Sequence, residues 1–265
     1  VKPCQWHCTI DLSEEASSVL TSTKNKYKNN TSYNAGGVYS INRGFVNESK
    51  SNYEGNSAKN QAGSIVLRNS ATLKLFSCGF LNESSNIWGG SIALTENSDL
   101  FISNSNFSGC HAKQGGVLYI ENHYNLTVFG SIFTQNLADA GGVMLVYTSS
   151  ENLTFHYCSF LSNPSQKYLM LVTSSSGTFI LSHSIANSNN CTLLGITSSK
   201  AIIEFSNISS SNCSDSSMGC VLYAEESNAT LKGLKLLAMK IISEGTLFYY
   251  FKCPDAIIQN VEIQG

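Results

Sequence analysis

Apolar and polar positions along this chain follow a long period and, inside it, a short one. The stretch Phe133-Thr-Gln-Asn136 runs through a polar turn into Gly141-Gly142 and then into the apolar run Val143-Met-Leu-Val146. The same order appears one repeat earlier, from Phe107 through Gly115-Gly116 to Val117-Leu-Tyr-Ile120. Corner strands are expected to begin at Val38, Ser64, Ser91, Val117, Val143, Leu169, Leu193, Val221 and Leu247, about 26 residues apart. Gly36-Gly37, Gly63, Gly89-Gly90, Gly115-Gly116 and Gly141-Gly142 precede them, where a sharp corner needs positive φ or close backbone approach. A second strand in each repeat alternates apolar and polar residues with period two, as in Leu73/Leu75, Leu100/Ile102, Leu126/Val128 and Leu153/Phe155. One ring position recurs after it: Phe80, Phe107, Phe133, Phe160, Ile185, Ile208, Leu236 and Ile263.

A fixed period of this length, with strands and no helical stretch, predicts an all-β, right-handed parallel β-helix of eight to nine coils. The ring positions would then stack as an internal ladder at the strand spacing. A leucine-rich solenoid and a β-sandwich are the competing folds. The first lacks its consensus turns here, and the second does not explain one period held over so much chain. Residues 1–34 do not fit the repeat. They are expected to form an N-terminal cap and connector, with a capping box at Asp11-Leu-Ser-Glu14 opening a short helix, and residues 35–265 the β-helix.

Charged residues make up only 13% of the chain, so its polar surface is built from Ser, Thr and Asn. With Arg43 and Arg68 as its arginines and a net charge of −2, it offers no basic stripe for nucleic acid. No apolar run is long enough for a membrane-spanning helix. Asn-x-Ser/Thr sites begin at Asn29, Asn30, Asn47, Asn82, Asn106, Asn125, Asn152, Asn190, Asn207, Asn212 and Asn228. Asn125, Asn152 and Asn228 share one place in the repeat, and Asn106 and Asn207 another, so the sites should form outer columns. N-linked glycans, a covalent modification rather than a cofactor, are the expected chemistry. Turn asparagines followed by hydroxyl residues are the simpler alternative.

Nine cysteines fit a secreted chain with disulfides. Cys191 with Cys213 is the best intrachain pair, and Cys4 with Cys8 would staple the cap. Cys78 and Cys158 share a register with Ser105 and Ser131 at the coils between them, which marks them as small core residues. No Cys/His spacing suggests a metal.

The Phe133-to-Val143 segment, Phe160-Leu-Ser-Asn163 and the strands after Gly89-Gly90 and Gly115-Gly116 resemble the Phe-x-x-Asn and Gly-Gly-Ala-Ile repeats of chlamydial polymorphic outer membrane proteins. The resemblance covers roughly residues 36–265, is weaker after about 165, and places the chain with pectin-lyase-like β-helices. It implies surface display, adhesion or self-assembly. The sequons depart from a bacterial source and point to a secreted or cell-surface protein of a eukaryotic microbe. The expected function is therefore structural or adhesive and not enzymatic, with self-association through the solenoid ends, since Ala256–Ile263 closes on an apolar coil. Glycans are candidate partners through Trp88 or Phe248-Tyr249-Tyr250-Phe251. A polysaccharide lyase or hydrolase, using Glu225-Glu226 with Glu121 and Glu96, is the competing class. His156 and His183 lie about one coil apart and read as structural or surface histidines.

Overall fold

The computed structural model describes residues 10–12, 18–122, 125–187, 189, 191–209, 212–213, 219–241 and 246–264, and of 11, 212, 213, 240 and 241 the backbone alone. It is a parallel β-solenoid of about nine turns, with no helix among the described residues. Three ten-stranded parallel sheets run its length, and each coil gives one strand to each sheet. Coil 1 contributes Ile10–Leu12, Val19–Thr23 and Lys26–Lys28 to sheets 1, 2 and 3. Coil 5 contributes Leu118–Ile120, Asn125–Phe129 and Ile132–Thr134, and coil 10 contributes Phe248–Phe251, Ala256–Gln259 and Glu262–Gln264.

The solenoid begins earlier than the sequence suggests. Val19–Thr23 pairs with Phe45–Ser49, and Lys26–Lys28 with Asn52–Glu54, so residues expected in a cap and connector already form a coil. Asp11 lies in a strand paired with Ser40, not at a helix start. Short polar strands stacked on a regular neighbour need little apolar signal of their own, which is why periodicity alone passes over them.

Inside, like residues meet like residues. Tyr53 stacks on Phe80 at 4.3 Å, Phe80 on Phe107 at 4.6 Å, and Phe107, Phe133 and Phe160 follow at 5.2 Å, all within 10° of parallel. Tyr27 opens this column, 4.8 Å from Tyr53. The column continues through Ala186, Ile208, Leu236 and Ile263. Ile185, expected here, is a correction: it is 45% exposed, and Ala186 pairs with Phe160 and points inward. Period-two alternation fixes which residue of a strand faces in, and here it overrides the preference for the larger apolar residue. Phe155 and Phe179, 5.9 Å apart and tilted by 39° on sheet 2, supply ring volume near this narrowing.

A second internal column is polar. Asn30, Asn56, Glu83, Cys110, Asn136, Asn163 and Asn189 occupy one corner of successive coils. Asn136 donates through its backbone N–H and its side-chain amide to Asn163 Oδ1, at 3.0 and 2.9 Å, and its amide also donates to the Phe107 carbonyl. Asn163 repeats this with Asn189 and the Phe133 carbonyl. Such a ladder satisfies buried corner amides that no sheet can reach. At the next corner, the Ser105, Ser131, Ser184 and Ser206 hydroxyls each accept a backbone N–H from the coil before and donate to a carbonyl two residues back. Cys78 and Cys158 stand in this column, donating to Phe76 and His156 carbonyls, so the thiols replace hydroxyls.

The two corner glycines have different jobs. Gly36, Gly89, Gly115 and Gly141 take φ near +60°. At Gly37, Gly63, Gly90 and Gly116 a Cβ would collide with the carbonyl oxygen of the equivalent glycine one coil on. Single Gly63 is therefore the approach glycine, and Ala62 (φ +52°) takes the left-handed place before it.

Two carboxylates are fully buried in the early coils. Glu48 Oε2 accepts a 3.1 Å hydrogen bond from Tyr39 Oη, while its Oε1 has no protein partner. Burial pushes the Tyr39 and Tyr53 phenols well above their ordinary range. Glu83 replaces an asparagine of the ladder. Its carboxylate accepts from the Ser64 hydroxyl and from the Asn56 backbone N–H and side-chain amide. Desolvation outweighs these bonds and raises its pKa to about 7. A raised carboxylate pKa favours the protonated folded state, so its contribution is complete below the unfolded value and lost as pH rises through about 7. Thermal melts should show stability falling between about pH 5 and pH 8, and Glu83→Gln should remove part of that slope. An unchanged slope in the variant would show that Glu83 does not govern it.

Candidate functional site

The outer face of sheet 1 carries its own apolar cluster, in which Val66, Ala93, Tyr119 and Leu145 are covered by the corner residues Ala35, Ala62, Trp88 and Ala140. These positions point away from the core, yet the glycine corner folds back over them. Trp88 and Gln114 are bridge partners in neighbouring coils. The Trp88 ring stacks on Tyr119 at 5.3 Å, and its Nε1–H donates to Gln114 Oε1 at 3.0 Å. Tyr147 meets Tyr119 edge-on at 5.9 Å, and Tyr119 Oη donates to Glu121 Oε2 at 3.2 Å. Burial, with Glu121 beside it, raises the Tyr119 phenol.

Together with Ile87 and Lys113, these side chains line an open cleft of about 400 Å³. It holds two aromatic walls, an amide, a carboxylate and an ammonium. This mixture suits a polyhydroxylated ligand, which offers apolar C–H faces and hydroxyls together. Sequence reasoning had Trp88 but missed Tyr119, Gln114 and Tyr147. Their signal was register: Gln114 follows Trp88 by one coil, and Tyr119 lies two residues before Glu121.

The acidic residues do not converge. Glu121 and Glu225 do share a column, through Tyr147, Thr173 and Thr197, but stand four coils apart. At strand spacing that is roughly 19 Å, against about 5–9.5 Å for paired glycosidase carboxylates. Glu225 accepts from Tyr223 Oη at 3.1 Å, repeating the Tyr119–Glu121 contact. Glu226 is ion-paired with Lys252 at 3.2 Å on the exposed corner. Glu96 takes a left-handed corner (φ +59°) and does not line the cleft. His156 bonds Ser182, while His183 stacks between Tyr157 and Phe205. Among the described residues no group of His, Cys, Asp and Glu could hold a metal, and no helix is long and apolar enough to cross a membrane. Phe248 and Tyr250 pack against the core, and Tyr249 stacks on Tyr223 at 5.2 Å.

The sequons fall on outward columns as their spacing implies. Asn125 and Asn152 are adjacent, and Asn228 lies three coils further along the same line. Asn106 and Asn207 share a second line. Asn29, Asn82, Asn106, Asn125, Asn152 and Asn207 are exposed, and Asn47 and Asn228 half-buried. Asn30 differs: its Nδ2 donates to Asn56 Oδ1 at 2.8 Å in the internal ladder. Asn190 and the Asn212 side chain lie outside the described residues.

Cysteine pairing needs correction. Cys191 is a free, buried thiol against the Asn163 carbonyl, so it does not bridge to Cys213. Counted from the aligned strand starts Leu193 and Val221, the two cysteines lie two and eight residues upstream, which is not one register. Cys78, Cys110, Cys158 and Cys253 are also free, whereas Cys220 is disulfide-bonded. Cys4 and Cys8 lie outside the described residues. Burial pushes Cys110 and Cys191 up to about 12 and Cys158 to about 11, and raises Cys78, so these thiols are poor nucleophiles.

No protein-family model, curated protein or solved structure matches this chain. What is established is its class, a parallel β-solenoid.

Alkylation followed by mass spectrometry should leave Cys78, Cys110, Cys158 and Cys191 unmodified in the native protein and modify all four after unfolding. Rapid native labelling of any of them would contradict the packing described here.

Proposed function

We propose that this chain is a secreted, N-glycosylated rod from a eukaryotic microbe, with a structural or adhesive role at or beyond the cell surface. The observation that carries the reading is the arrangement of sequons: six exposed asparagines on outward columns of a solenoid whose interior is filled from end to end. A surface of Ser, Thr and Asn with few charges depends on such glycans for solubility and for limiting lateral contact. The Phe-x-x-Asn pattern shared with polymorphic outer membrane proteins supports surface display, because it encodes coil geometry and no catalytic group.

End-to-end association belongs to the same proposal, because the resemblance that implies surface display also implies self-assembly. Protein secreted from a eukaryotic host tests the reading by glycopeptide mapping and electron microscopy. Glycans are expected at most of the six exposed asparagines and absent from Asn30, and the particles should be rods about 43 Å long or multiples of that length. Bare exposed sequons, or a glycan on Asn30, would count against it.

A second reading is carried by the Trp88 cleft: the rod binds carbohydrate. Titration against a panel of neutral and amino-sugar oligosaccharides should show saturable binding. Trp88→Ala or Tyr147→Ala should weaken it at least tenfold, with Leu81→Ser as a neutral control. Glycoside hydrolysis is the weaker alternative, since it needs a second carboxylate beside Glu121 and the cleft lining holds none.

A further inference from the structure

The three faces of the solenoid are not equivalent. Sequons stand on sheet 2, at Asn47, Asn125 and Asn228, and on sheet 3, at Asn106 and Asn207. Among the described residues none stands on a strand of sheet 1. With glycans on the other two faces, sheet 1 is the side of the rod left open to a large ligand.

That face carries the arrangement of the Trp88 cleft twice. In the first, rings from adjacent coils stack, Trp88 on Tyr119 at 5.3 Å, and Tyr119 Oη donates to Glu121. In the second, Tyr223 and Tyr249 of adjacent coils stack at 5.2 Å and within 1° of parallel, and Tyr223 Oη donates to Glu225 Oε2 at 3.1 Å. Tyr168 packs beside this pair, 5.9 Å from Tyr223, with its ring laid over Gly195, where a Cβ would come within 2.7 Å of it. Tyr223 and Tyr249 remain half-buried, an apolar shelf with phenol tips. Each phenol holds one carboxylate oxygen, so Glu121 and Glu225 each keep Oε1 to accept a ligand hydroxyl.

The two places share one straight line. Tyr119 and Tyr223 lie in one column through Leu145, Leu171 and Gly195, and Glu121 and Glu225 in the next, through Tyr147, Thr173 and Thr197. They are four coils apart, roughly 19 Å. The path between them holds one ring and two threonines, with no charge and no sequon. A single sugar cannot reach both places, whereas an extended chain of β-linked sugars can lie along the axis and touch each. Two carboxylates on the path disfavour an acidic polymer and suit a neutral one.

We propose that Tyr223, Tyr249 and Glu225 form a second carbohydrate subsite, and that sheet 1 holds one extended, neutral β-linked polysaccharide chain across this subsite and the Trp88 cleft. The inference rests on the carbohydrate reading of that cleft. It adds the class of ligand, a polymer lying along the axis, and the face that receives it.

The test is calorimetric titration of the secreted, glycosylated chain with short and long members of the cello- and chito-oligosaccharide series, the long members exceeding the roughly 19 Å between the subsites. The double variant Tyr223→Val, Tyr249→Ala uses residue types already present in this column, at Val66 and Ala93. Circular dichroism checks that it folds, and Glu225→Gln, which keeps the packing, is the second variant. We expect the long members of at least one series to bind at least tenfold more tightly than the short ones, as two linked contacts do. The double variant should bring the long members down to short-member affinity while leaving short-member binding at the Trp88 cleft unchanged. Glu225→Gln should lower the long-member affinity as well, and Leu81→Ser should leave it unchanged. Short members that bind the Trp88 cleft with no gain for length would overturn the second subsite alone. So would a gain for length that survives both variants. No binding by any member of either series would overturn this inference and the carbohydrate reading of the cleft together.

Discussion

Everything in this molecule follows from one geometric demand: each coil must come back to lie one strand spacing beneath the last. Once the backbone ladders of three sheets impose that spacing, every inward side chain faces its own counterpart, and only residues that tolerate self-stacking can repeat. Flat rings do so, and the column from Tyr53 to Phe160 is the result. Carboxamides do so through hydrogen bonds, because each offers an acceptor above and a donor below, and Asn136, Asn163 and Asn189 use both. Hydroxyls do so with one donor and one acceptor. Carboxylates do not, and the two that enter the early core are held by other residue types, Glu48 by Tyr39 and Glu83 by Ser64 and Asn56.

That demand also sets what was legible beforehand. The period, the corner strands and the glycine pairs announce themselves, because each has a residue type with a single physical use. Ile185 misleads because hydrophobicity favours it over Ala186, whereas strand alternation decides for Ala186. Coil 1 is passed over because Lys26–Lys28 offers a single inward ring, Tyr27, between two lysines, and Thr31–Ser32 has no apolar residue at all, too little to show a period. The asparagine ladder was within reach: Asn136, Asn163 and Asn189 recur at the coil period, but single asparagines read as turn residues. Burial of Glu83 had no local signal beyond standing where an asparagine was due.

The candidate surfaces are departures from the repeat. A corner that elsewhere carries Ala35, Gln61, Gln114 or Ala140 carries Trp88 in one coil, and a sheet face that carries Val66 or Ala93 in earlier coils carries Tyr119. A left-handed corner that elsewhere carries Gly, Asn, Ser or Lys carries three rings. In a fold where the regular positions are occupied by geometry, irregular ones are free to meet something else.

The approach glycines have a bearing on how such a chain can change its length. Up to Gly141-Gly142 the strand starts are 26 or 27 residues apart, and the departures to 24 and 28 come only later, around Leu193, where no glycine pair remains. With each Cβ-free residue wedged against the carbonyl of the next coil, the glycine corner itself has no room for an insertion, and the one-residue difference between coils of 26 and 27 residues is taken up in the turns between strands. The early coils can therefore change length at those turns, or by gain or loss of a complete repeat, without disturbing the corner.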